Sequence, residues 1–81
     1  MLKLKSLVEI YPNPVSKNLT ITSSDKVTSI NYEFVDMIGQ VIQKGNFIGK
    51  TVIETGGFIP GVYFLKIGNG KTNEIIKISK E

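Results

Sequence analysis

Val62-Tyr63-Phe64-Leu65-Lys66-Ile67-Gly68-Asn69-Gly70-Lys71-Thr72-Asn73-Glu74-Ile75-Ile76-Lys77-Ile78-Ser79 reads as two strands and the turn between them. Tyr63, Leu65 and Ile67 occupy alternate positions, as do Ile76 and Ile78, and side chains two apart in a strand share a face. These five are expected to point inward and Lys77 outward. Tyr63 then belongs to the core, with its hydroxyl at the rim. Gly68-Asn69-Gly70-Lys71 supplies the turn, because Asn-Gly tolerates positive φ at both central positions of a type I′ hairpin. The last two strands should therefore pair antiparallel.

Moving outward, five more runs are bounded by Gly, Pro, Asn or Ser: Leu7 to Ile10, Leu19 to Ser23, Val27 to Val35, Gln40 to Lys44, and Thr51 to Glu54. Ile30, Tyr32 and Phe34 alternate with Asn31 and Glu33, and Leu19 and Ile21 alternate with Thr20 and Thr22, the period of strands with one buried face. The chain has no alanine and is rich in Ile, Val and Thr, so its composition is that of an all-β protein. About seven short strands separated by turns point to a sandwich or a barrel. Asp36-Met37-Ile38-Gly39 is expected to form a turn, with Asp accepting a local backbone hydrogen bond and Gly adopting a left-handed conformation at the exit. The apolar Met37-Ile38 tip either folds back onto the sheet or stays partly exposed. Pro12 and Pro14 lack amide donors and fix φ, so Tyr11-Pro12-Asn13-Pro14 reads as a stiff, extended lead-out from the first strand. Asn13 is available there for an Asx-type turn ahead of Lys17-Asn18.

Composition also excludes function classes. The 81 residues suffice for one small domain. Without Cys or His the chain has no thiolate nucleophile, no usual zinc ligand and not the commonest general base, so no enzyme activity and no cofactor is expected. The acids, Glu9, Asp25, Glu33, Asp36, Glu54, Glu74 and Glu81, are dispersed with no calcium-loop spacing. Gly56, Gly57 and Gly61 precede no helix and no Lys-Ser/Thr pair, so they form no phosphate loop. All ten cations are Lys, scattered, with a net charge of +3, which argues against nucleic acid as a partner. No apolar run is long enough for a membrane-crossing helix, and direct membrane insertion is not expected. Residues 1–6 carry lysines but no apolar centre of a signal peptide. They are read as a short leader or an artificially added segment, with residues 7–81 forming the domain.

Two blocks carry a resemblance: Tyr11-Pro12-Asn13-Pro14, and Pro60-Gly61-Val62-Tyr63-Phe64-Leu65-Lys66-Ile67 about fifty residues later. Together with the Leu19/Ile21 alternation, the D-x-x-G turn at Asp36 to Gly39, and a last strand holding Lys77 and Lys80, they resemble the C-terminal sorting domain of the type IX (Por) secretion system, type A. Bacteroidetes append this delivery module to exported proteins. The resemblance covers roughly residues 8 to 81. It implies an immunoglobulin-like antiparallel β-sandwich that is substrate rather than catalyst. An N-terminally fused cargo would pass through the periplasm and the type IX outer-membrane translocon to the cell surface or beyond. A sortase-like surface peptidase would commonly remove the domain there.

By the same resemblance, recognition would involve Pro12, Asn13, Pro14, Asp36, Gly39, Gly61, Tyr63, Lys77 and Lys80. Physical alternatives stand beside these roles: loop geometry for Gly61, a core position for Tyr63, and solvent exposure for Lys77 and Lys80. Two other functions remain open. Exposed aromatics such as Tyr11 and Phe58 would suit a carbohydrate-binding module, and a passive structural or adhesion module would need only to fold and dock. Lys66, Lys71, Lys77 and Lys80 would discourage edge-to-edge aggregation of the terminal hairpin. That same edge would suit strand addition by a receptor.

Overall fold

The computed structural model describes residues 7–81, and the leader expected at residues 1–6 lies outside the described residues. Seven strands follow one another: β1 (Val8–Tyr11), β2 (Asn18–Ser23), β3 (Ile30–Val35), β4 (Val41–Phe47), β5 (Lys50–Glu54), β6 (Gly61–Gly68) and β7 (Asn73–Lys80). All strand pairs are antiparallel. They build a three-stranded sheet in the order β1-β2-β5 and a four-stranded sheet in the order β4-β3-β6-β7. The inner faces share one core, which makes a β-sandwich of the immunoglobulin-like kind expected from the sequence. In a constant-type immunoglobulin domain the fourth strand lies in the same sheet as the first, second and fifth. Here β4 pairs with β3 on the opposite sheet.

Period-two alternation sets the core. Leu19 and Ile21 of β2, Phe34 of β3, Ile53 of β5, Leu65 of β6 and Ile78 of β7 are fully buried. Each such side chain contributes roughly 1.5–3 kcal/mol by leaving water. Phe34 lies 5.0 Å from the Tyr63 ring and 5.5 Å from the Phe58 ring, and both pairs are stacked. Phe58 is therefore half-buried against the core rather than displayed to solvent, which removes one of the two aromatics proposed for a carbohydrate face. Tyr11 remains 48% exposed.

Two strand boundaries shift by three residues from the sequence reading, the others by at most one, and one turn differs in type. β3 begins at Ile30 rather than Val27, because the Asp25 carboxylate accepts hydrogen bonds from the Val27 and Thr28 amides and the Thr28 hydroxyl and ties this stretch into a local turn. β4 runs on past Lys44 to Phe47. Gly45 permits this, since a Cβ there would stand 3.3 Å from the Tyr32 ring that covers it. The terminal hairpin is antiparallel as expected, but its turn is not type I′: within it Gly70 has positive φ (92°) and Asn69 does not. Asn69 acts through its side chain instead, its Oδ1 accepting the amide hydrogens of Lys71 and Thr72.

The fold also gives the sandwich two distinct ends. At one end, the hairpin end, Leu7 donates its amide hydrogen to the Glu74 carboxylate beside the Asn69–Thr72 turn. At the other, the proline end, lie residues 12–15, the Asp36 turn and the start of β6. Glu74 and Lys80 are separated by roughly 20 Å along β7.

Candidate functional site

β7 is an edge strand, and antiparallel pairing leaves alternate residues with amide and carbonyl groups facing outward. From Lys77 to Glu81 that edge is covered by the chain itself. The Asn13 side-chain amide donates to the Lys77 carbonyl (3.0 Å), and its Oδ1 accepts the Ser79 amide hydrogen (3.0 Å). Val15 then donates to the Ser79 carbonyl and accepts from the Glu81 amide, both at 2.8 Å, forming a parallel bridge with β7. A carboxamide offers a donor and an acceptor side by side, as a peptide group does, so Asn13 takes the place of a strand residue. Pro12 and Pro14 flank it without donors of their own, and the Tyr11–Pro12 and Asn13–Pro14 bonds are both cis. The expected Asx turn toward Lys17 does not form, because Asn13 is engaged with β7. Nor is this stretch of the hairpin edge open for an added strand.

Gly61 pairs with Lys80 and Tyr63 with Ile78, which continues the same end of the sandwich across to β6. Lys77 is exposed, but Lys80 is only 9% exposed. The solvent-facing position expected for Lys80 is thus corrected. It shares the inward parity of Ile76 and Ile78, and its stem lies along the rim of the core while its ammonium group donates to the Glu81 carbonyl. Tyr63 is a core residue whose hydroxyl donates to the Ile59 carbonyl at 2.5 Å. Gly61 has φ 150°, in the region that favours glycine.

The Asp36 turn forms as the sequence suggests. Asp36 Oδ1 accepts the amide hydrogens of Ile38 (3.0 Å) and Gln40 (2.9 Å), Gly39 donates to the Asp36 carbonyl, and Gly39 sits at φ 89°. Met37 and Ile38 are left in solvent, 70% and 86% exposed. This turn and the Ile59–Tyr63 segment line one shallow groove of about 290 Å³.

The nine residues singled out from the sequence thus converge on one end of the sandwich, although Asn13 and Ser79 are 66 positions apart. Val15 and Ile59 were not among them. Val15 is the lone apolar residue between Tyr11 and Leu19, and that isolation was the available signal. Chemically the arrangement can bind and be bound. Among the described residues no group of three or more His, Cys, Asp or Glu side chains comes together to hold a metal. None of their helices is long and apolar enough to cross a membrane. Away from this end, hydrogen bonds from Thr28 and Val27 hold the Asp25 carboxyl below the usual carboxylate range. The family model described as the secretion system C-terminal sorting domain matches residues 9–81. No curated protein matches the chain.

Proposed function

Because the chain belongs to the secretion system C-terminal sorting domain family, and so is a C-terminal type IX secretion sorting signal, we propose that its proline end is what the export machinery reads. Members of this family are sorting signals rather than catalysts, and such a tail implies an attached N-terminal cargo and export toward the cell surface or the extracellular space. The finer steps belong to this reading. The cargo waits in the periplasm, passes the outer-membrane translocon in company with the domain, and loses the domain to a sortase-like peptidase at the surface.

The observation that carries the reading is the meeting of Asn13 with Lys77 and Ser79, beside Gly61, Tyr63 and the Asp36 turn. Motif blocks separated along the chain meet at this end of the sandwich. Pro12, Pro14, Gly39 and Lys80 support its shape, and Lys77 stands exposed on it.

The test is a fusion of residues 7–81 behind a fluorescent reporter that carries its own signal peptide. It is expressed in a type IX-competent bacterium and in a translocon-deficient sibling. The expected result is reporter outside the first cell and in the periplasm of the second. Retention of a folded fusion in both, with a known tag exported normally by the same host, would overturn the reading.

A further inference from the structure

Residues around the groove at the proline end divide into fasteners and displayed side chains. Asp36 holds its turn through two amides, and Gly39 supplies the backbone conformation. Tyr63, buried, ties down the Ile59 carbonyl. Asp36 is half-buried, Tyr63 is buried, and Gly39 has no side chain to present. Met37, Ile38 and Ile59 do the opposite, at 70%, 86% and 78% exposure, and their side chains complete no turn and fill no core. Scattered exposed apolar residues need no explanation, but three lining one groove beside Pro60 and Val62 form a patch.

Charge narrows the occupant. Among the described residues no lysine lines the groove, and the one charged residue that does, Asp36, points its carboxylate at the turn's own amides. A phosphate-bearing surface, whether lipid headgroup or nucleic acid, is held by cations at the contact. The eight lysines among the described residues all lie outside the groove lining, Lys77 and Lys80 on neighbouring β7 included, and the Lys80 ammonium is engaged by the Glu81 carbonyl. An uncharged apolar protein surface matches what is displayed.

We propose that Met37, Ile38 and Ile59 are the contact residues by which the domain docks on its export partner, that they seat against an uncharged apolar recess of that protein, and that Asp36 and Tyr63 are positioning residues that hold the two tips in place. The inference rests on the sorting reading above and relocates the contact from the motif residues to the side chains they pose.

The experiment uses the reporter fusion with Met37→Ser, Ile38→Ser and Ile59→Ser combined, beside Val27→Ser as a control. Val27 is equally apolar and 82% exposed but lies at the hairpin end. The triple variant should lower the exported fraction about tenfold, the scale of an interface hot spot. The thermal midpoint of the purified chain should not change, and Val27→Ser should export normally. Normal export of the triple variant, or an equal loss in Val27→Ser, would overturn the proposal.

Positioning is tested by coupling. Tyr63→Phe should reduce export in the parent but not further in an Ile59→Ser background, whereas additive losses would make Tyr63 merely structural. Purified chain should not float with phosphatidylcholine or phosphatidylglycerol vesicles, and flotation abolished in the triple variant would assign the tips to membrane instead. A parent fusion that is itself retained in the periplasm would overturn the sorting reading, and this inference with it.

Discussion

Two turns close opposite ends of the four-stranded sheet by the same local chemistry. Asp36 and Asn69 each use one side-chain oxygen to accept two amide hydrogens, from Ile38 and Gln40 in one case and from Lys71 and Thr72 in the other. Each turn places a glycine at nearly the same positive φ, 89° at Gly39 and 92° at Gly70. What differs is the residues between. The Asn69 turn shows Gly70-Lys71 to water, as turns usually do, whereas the Asp36 turn shows Met37-Ile38. Hydrogen bonding and glycine suffice to build either turn, so the apolar tip is not a requirement of folding. That contrast makes the proline end the place to look for contacts with another molecule.

The largest expected effect tests whether the two ends are equally well packed. Phe34 stacks on both Tyr63 and Phe58 toward the proline end, while Phe47 meets Tyr32 alone, with ring centroids 6.3 Å apart. Phe34→Ala should cost about 3–5 kcal/mol in urea unfolding. Phe47→Ala should cost about 1 kcal/mol less, since it gives up one ring pair instead of two. Equal losses would erase this difference between the ends.

A smaller effect separates long-range from local hydrogen bonding. Asn13→Ala removes two bonds to β7 and should cost about 1–2 kcal/mol. In amide hydrogen exchange it should expose the Ser79 amide. Asn69→Ala should loosen only Lys71 and Thr72. Unchanged protection of Ser79 in the first variant would mean that Val15 alone secures the edge.

The smallest effect is expected from pH, and it distinguishes a charged Asx turn from a neutral one. The Asp25 carboxyl titrates below its usual value because its ionised form accepts hydrogen bonds from Thr28 and Val27. A group whose folded pKa is depressed stabilises the fold above its unfolded value and loses that contribution as pH falls through the folded one. Stability should therefore be flat in this respect near neutrality and decline below about pH 4. Asp25→Asn should flatten the decline slightly, and an Asn69→Ala variant should keep the parent slope. An Asp25→Asn chain with the parent slope would remove Asp25 as a source of the acid sensitivity.

Much of this was legible in the sequence because strand parity is a local rule. Ile30, Tyr32 and Phe34, Leu19 and Ile21, and Tyr63, Leu65 and Ile67 all face inward as their spacing requires. Lys80 shows the same rule overlooked. Counting on from Ile76 and Ile78 places it inward, against the general preference of a lysine for water. Other misses were non-local. Nothing near Asn13 announces a partner 66 residues away, and Phe58 gives no sign on its own that Phe34 will stack on it. The hairpin was identified correctly while its turn type was not, because an Asn side chain that bonds to the backbone serves as well as a left-handed Asn backbone.

The bridge between Val15 and β7 also has a mechanical side. Both segments run in the same direction, and their bonds lie across that direction. Tension drawing Leu7 away toward a preceding segment while Lys80 is held would slide the two past each other. The Asn13 and Val15 bonds would then have to break together in shear, rather than one after another as in an unzipping hairpin. A tag pulled at one end and gripped at the other meets that geometry once the Leu7–Glu74 bond and the β1–β2 pairing have given way.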